Sequence, residues 1–89
     1  MDTYVFYGTY CKDALVKRSP FRDTHLRRLS TLKQEGKLIT LGPTKSSEYV
    51  YGIFKAQSLD EVKTIIKEDI YWKEGVWTSF EVHSWIQAF

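Results

Sequence analysis

One cysteine, two histidines and no long apolar run narrow what this chain of 89 residues can be. Cys11 has no second thiol to pair with, which excludes an internal disulfide and a thiolate-built metal site and suits a reducing compartment. Two histidines among scattered carboxylates show no zinc-ligand spacing, so neither metal nor cofactor is expected. No apolar stretch reaches the length of a bilayer crossing, and the first residues lack the basic-then-apolar order of a secretory signal. A cytoplasmic protein without membrane contact is the expectation. Basic surplus is also missing: the formal charge is +2, Asp and Glu are interspersed among Lys and Arg, and only Arg22, Arg27 and Arg28 cluster. Phosphate binding normally shows as a dense basic stripe, so nucleic acid is not an expected partner.

What is present is an ordinary globular composition, 43% apolar and 27% charged, with 16% aromatic residues as its one excess. Residues 1–89 read as one domain, small enough that association with a second copy would help to bury apolar surface. Residues 4–10 are β-branched and aromatic and predict a strand apolar on both faces. Ser19 as N-cap and Pro20 at the first helical position predict a helix running to about Glu35 and stopped by Gly36. A short strand over 37–41 ends at Gly42-Pro43, residues 44–47 turn, and residues 49–55 form a third strand. Ser58-Leu59-Asp60-Glu61 has capping-box spacing and starts a second helix that ends near Glu68 or Asp69. An irregular stretch holding Trp72, Gly75 and Trp77 leads to a last strand in which Phe80 and Val82 alternate with Glu81 and His83.

The order βαββαβ in so short a chain gives an α+β fold, a ferredoxin-like sandwich with a four-stranded antiparallel sheet and two helices on one face. Successive elements alternate in direction, so the start of the first helix and the end of the second lie at one end of the molecule. Two inward polar residues are expected there. At about 100° per residue, His25 falls in the arc of Leu26, Leu29 and Leu32, and Asp69 extends the Leu59, Val62, Ile65, Ile66 stripe. A carboxylate that holds one ring nitrogen of a histidine frees the other for proton transfer, whereas burial and the carboxylate shift the imidazole in opposite directions. Arg22, one turn before His25, is placed to hold a substrate carboxylate. The plainer reading is a buried His25–Asp69 pair that only joins two helices. Arg27 and Arg28 read as a solvated face, and Cys11 as a structural residue.

Tyr4, Val5, Phe6 and Tyr7 leave apolar groups on both sides of the first strand, as do Tyr49, Val50, Tyr51, Ile53 and Phe54 on the third, while helices cover one side only; an exposed aromatic face of that kind predicts a homodimer packed sheet to sheet, with His83 at the interface. The same sandwich hosts RNA-recognition modules, but residues 49–54 lack their basic-Gly-aromatic motif.

The pattern Arg22-x-x-His25-Leu26-x-x-Leu29, the run Gly36-Lys37-Leu38-Ile39-Thr40-x-Gly42-Pro43, and Asp69-x-Tyr71 followed by Gly75 resemble the YciI-like (YCII-related) proteins of the dimeric α/β-barrel superfamily. The resemblance covers nearly the whole chain. It implies a ferredoxin-like dimer, a candidate catalytic pair at His25 and Asp69, and Arg22 and Tyr71 as substrate contacts. The family's Asp-Pro-Tyr is Asp69-Ile70-Tyr71 here, and the glycine-rich insertion of longer members is reduced to residues 44–47. Superfamily relatives include muconolactone isomerases and a chloromuconolactone dehalogenase, so the implied activity is that of a lyase or isomerase acting on an acidic or carbonyl-bearing small molecule. The alternative is a non-catalytic dimeric module that binds a small anion or a protein partner.

Overall fold

A computed structural model describes residues 1–89. The aromatic and β-branched N-terminal run forms β1 (Asp2–Tyr10), which lies inside the sheet and pairs antiparallel with both β3 (Tyr49–Ala56) and β4 (Trp77–Ser84). The edge strand β2 (Leu38–Pro43) pairs with β3, giving the order β2-β3-β1-β4. Between strands lie α1 (Ala14–Lys17), α2 (Arg22–Gln34), α3 (Leu59–Lys67) and α4 (Ile70–Lys73). This is the expected ferredoxin-like α+β sandwich, elaborated by two short helices.

Period-two alternation divides the sheet. Tyr4, Phe6, Val50, Phe54, Ala56, Trp77 and Val82 are buried and share one core with Leu32 of α2, Val62, Ile65 and Ile66 of α3, and Tyr71 of α4. Val5, Tyr7, Tyr49, Tyr51 and Ile53 fall on the other face, which no helix covers; Tyr51 is 50% exposed. No helix is long and apolar enough to cross a membrane.

Three local expectations are corrected. Ser19 is not an N-cap: residues Ser19–Phe21 form a single 3-10 turn, and Arg18 before it and Arg22 after it already have helical dihedrals, so no extended residue is present to cap. Leu26, expected in the inward arc, is 43% exposed, because α2 turns only its His25 and Leu32 line fully into the core. Asp69 does not continue the α3 stripe. Its extended backbone, φ −72° and ψ 139°, places it outside α3 as the N-cap of α4, a helix of one turn that lies where an irregular stretch was expected. The short α1, on which the sequence raised no expectation, is too brief for periodicity to reveal and follows Asp13 in a left-handed conformation at φ 58°. The capping box holds on one side: Ser58 accepts from the Glu61 N–H at 3.1 Å, while the Glu61 carboxylate accepts from the Gln57 N–H at 3.0 Å.

Candidate active site

Asp69 is 1% exposed, and its carboxylate is held by three donors from separate parts of the chain. Oδ1 accepts from His25 Nδ1 at 2.8 Å and from the Tyr71 backbone N–H at 2.9 Å, and Oδ2 accepts from Arg28 Nη1 at 3.2 Å. The Tyr71 contact follows from the sequence locally: an aspartate in extended conformation just before a helix satisfies an N–H of the first turn. Arg28 also donates Nη2 to the Ile65 carbonyl at 2.9 Å, which ties α2 to α3. It had been read as solvated, although its position three residues after His25 puts both side chains on one side of α2, and that spacing was the available signal.

A carboxylate only accepts, so Nδ1 of His25 carries the proton, and in the neutral ring the lone pair is on Nε2. Nε2 makes no hydrogen bond within the chain, and the residue is only 4% exposed. The imidazole is fixed on its other sides by aromatics. Tyr71 stacks on it with centroids 3.7 Å apart and planes 9° from parallel, and Trp77 meets it edge-on at 5.2 Å and 87°. Such a ring cannot turn without losing the Asp69 bond and the stack together.

Of the other expected site residues, Tyr71 is buried in the stack and Arg22 is exposed on the first turn of α2, near enough to the Tyr71 phenol to influence it. Trp72 packs edge-on against Phe80 at 5.0 Å. His83 lies on the open face with its Nε2 3.3 Å from Glu81, both side chains well exposed. No group of three or more His, Cys, Asp or Glu side chains is arranged to hold a metal.

Two residues that the sequence reading passed over complete the neighbourhood. Tyr10, at the end of β1, and Arg18, between α1 and α2, flank Tyr71: burial pushes both phenols above their ordinary value, the Arg18 guanidinium opposes the shift at each, and Arg22 opposes it at Tyr71. Tyr10 also lines a surface depression of about 620 Å³, formed by residues 9–16 and 46–49. His25 itself lines neither this depression nor the smaller one, about 290 Å³, between α2 and β2.

The sequence model of the YCII-related domain matches residues 3–86. The chain belongs to the YCII-related family. Its relatives include fusaric acid biosynthesis protein 2 of Gibberella fujikuroi, 30% identical over an alignment 83 residues long that covers 82% of this chain and 80% of that protein. Protein YciI of Escherichia coli is 48% identical over a shorter stretch of 40 residues, 45% of this chain and 41% of that protein. Among solved structures, 5-chloro-2-hydroxyhydroquinone dehydrochlorinase (TftG) from Burkholderia phenoliruptrix AC1100, in complex with 2,5-dihydroxybenzoquinone, is similar with a TM-score of 0.83 and 25% identity over 97% of this chain and 95% of that one. A NIPSNAP family protein of Agrobacterium tumefaciens shares the fold at TM-score 0.57 and 16% identity. This YCII-related chain therefore has the protomer fold that the motifs implied.

Two measurable consequences follow from the donors around Asp69 and from the buried phenols. Asp69→Ala leaves the His25 and Tyr71 N–H groups and the Arg28 guanidinium without their acceptor and is expected to cost about 3–5 kcal/mol in urea unfolding, with Asp69→Asn costing roughly 1–3 kcal/mol. An alanine variant as stable as the wild type would mean that the carboxylate is not what holds α2 to α4. The raised phenols of Tyr10 and Tyr71 favour the protonated form in the folded chain, so their contribution is intact below pH 10.0, the ordinary value, and is lost as pH rises through the folded values. Urea midpoints are expected to fall above that pH, and less steeply in Tyr71→Phe.

Proposed function

We propose that this YCII-related protein is a small-molecule lyase or isomerase in which His25 transfers a proton and Asp69 orients it. The observation that carries the reading is the fixed imidazole: Nδ1–H is committed to Asp69, the ring is clamped between Tyr71 and Trp77, and Nε2 is left unbonded. In the reaction envisaged, Nε2 removes a proton from a carbon next to a carbonyl. The C–H bond breaks, an N–H bond forms, and the electron pair moves onto the oxygen. The enolate then either expels a leaving group such as chloride, which is an elimination, or is reprotonated at another carbon, which is an isomerisation. No oxidant or reductant is needed for either. The fold neighbour named as a dehydrochlorinase, with a dihydroxyquinone in its complex, supports an acidic, carbonyl-bearing ring compound as the substrate class. Arg22, exposed beside Tyr71, is suited to meeting such an anion at the mouth of the site.

The reading includes an intracellular homodimer formed through the open sheet face. Tyr7 packs there against Tyr49 and Tyr51, with centroids 6.0 and 5.2 Å apart, and Val5 and Ile53 continue the patch. Lone Cys11, half-buried and unpaired, suits the reducing compartment.

The decisive assay incubates the purified protein with 5-chloro-2-hydroxyhydroquinone for chloride release, and with hydroxyquinones and enol lactones in D₂O for proton exchange. Wild type is expected to turn over a member of this set, and His25→Ala to lose roughly 10²- to 10⁴-fold in kcat with an unchanged circular-dichroism spectrum. A folded His25→Ala that keeps the wild-type rate would reduce the pair to a structural tie and leave the non-catalytic module as the function. Sedimentation equilibrium is expected to give twice the 10.5 kDa chain mass. Monomer at micromolar concentration would remove the dimer.

A further inference from the structure

The carboxylate that bonds His25 carries a cation on its other oxygen. Arg28 Nη1 donates to Asp69 Oδ2 at 3.2 Å, whereas His25 Nδ1 and the Tyr71 N–H share Oδ1 at 2.8 and 2.9 Å. The guanidinium has a second anchor, because Nη2 donates to the Ile65 carbonyl at 2.9 Å. Ile65 is in the last turn of α3, where carbonyls lack helical partners and the helix end attracts a cation. Two bonds from one planar fork hold the charge in place, and with the Arg28 side chain 27% exposed, water screens it only in part. Nothing else around the imidazole takes this position. Arg18 and Arg22 form no ion pair with Asp69, and the turn Ser19–Phe21 and strand β2, which also pack on α2, carry no titratable side chain. From α4 and β1 come the phenols of Tyr71 and Tyr10, which burial pushes up and which are uncharged at neutral pH. Arg28 is the one cation bonded to the carboxylate.

We propose that Arg28 is a positioning residue that acts on His25 through Asp69: by drawing the carboxylate charge toward Oδ2, it keeps the imidazole neutral at rest and the imidazolium short-lived. The inference rests on the proposed function, in which His25 is the base. A histidine paired with a carboxylate alone gains from protonation, because an ion pair replaces a neutral hydrogen bond. A proton would then occupy Nε2, and no lone pair would be left for a substrate. With Arg28 in place, protonation of the ring sets two cations on one carboxylate. The charge of Asp69, His25 and Arg28 together is zero at rest, rises to +1 when Nε2 takes the carbon-bound proton, and returns to zero when the ring gives that proton up. An acceptor disfavoured in this way passes its proton on, to another carbon in an isomerisation or to water after an elimination. The same fork that ties α2 to α3 thereby sets the protonation state of the ring.

The test is imidazole NMR on the full chain, which needs no substrate. Two histidines give two ring systems, and His83→Gln assigns that of His25. In the wild type at neutral pH, long-range ¹H–¹⁵N spectra are expected to show a neutral ring with its proton on Nδ1. Arg28→Gln keeps a donor for Asp69 and removes the charge, and it is expected to raise the pH at which the ring gains its second proton by roughly one unit, tenfold in the equilibrium. Arg28→Lys, with the charge but without the fork, is expected to titrate close to the wild type. A purely structural tie would lower the stability of both variants and move neither titration. A wild-type ring that is already imidazolium at neutral pH, a folded Arg28→Gln that titrates as the wild type does, or an Arg28→Lys shifted as far as Arg28→Gln would each overturn the inference. Failure of the base reading looks different: the Arg28→Gln shift would persist while a folded His25→Ala kept the wild-type rate of chloride release from 5-chloro-2-hydroxyhydroquinone.

Discussion

A carboxylate that is 1% exposed must be compensated on the spot, and Asp69 is compensated by three donors drawn from α2 and α4. Desolvating a carboxylate is among the most expensive things a small fold can do, and its survival here depends on every donor arriving together. Arg28 cannot reach Asp69 unless α2 lies along α3, and it also takes the Ile65 carbonyl on the way. The Tyr71 N–H cannot reach it unless the chain reverses after α3 and starts α4 at once. The geometry of the helical layer is therefore tied to one charge.

The same constraint sets the chemistry. Oδ1 is shared between the α4 cap and His25, so the imidazole is held by the group that starts the helix carrying Tyr71, and Tyr71 in turn covers the imidazole face. Orientation of the imidazole and formation of the turn are one event. For the proton transfer proposed above, a ring held this way needs no reorganisation, which is the physical content of preorganisation. That the pair also joins helices is no objection to a catalytic role, because rigidity is what orients Nε2.

Much of this was legible in the chain. The apolar arc of α2 pointed His25 inward, and the alternating direction of a βαββαβ order put Asp69 at the same end, where a 2.8 Å contact joins them. The route to Asp69 was less accurate, since the residue lies off the α3 stripe and reaches His25 as a cap; helical periodicity cannot see past a helix end. Arg28 was missed because a charge beside Arg27 reads as solvated unless the partner is known. Tyr10 and Trp77 were not legible as a pair, since the register shift sets Trp77 three residues before Phe80, and that break in alternation reads as an irregular stretch. Arg18 fell in a segment too short to have a period.

The substitution of Ile70 for the family's proline shows how strong the Asp69 constraint is. Ile70 is the first residue of α4, where a proline is favoured because its fixed φ suits a helix start and its missing N–H would have no partner there. Replacing it with isoleucine therefore sacrifices no hydrogen bond of the turn. What is lost is stiffness in the unfolded chain, an entropic effect of roughly 0.4–1 kcal/mol. The turn is held instead by enthalpic ties that do not involve residue 70 as a donor: the Asp69 carbonyl accepts from the Trp72 and Lys73 N–H groups at 3.0 Å each, and its carboxylate accepts from Tyr71. Ile70, packed against the core, adds burial that proline would supply less well. The Asp69 carboxylate and carbonyl thus hold the turn without a donor at residue 70, and the same carboxylate reaches the imidazole that Tyr71 covers.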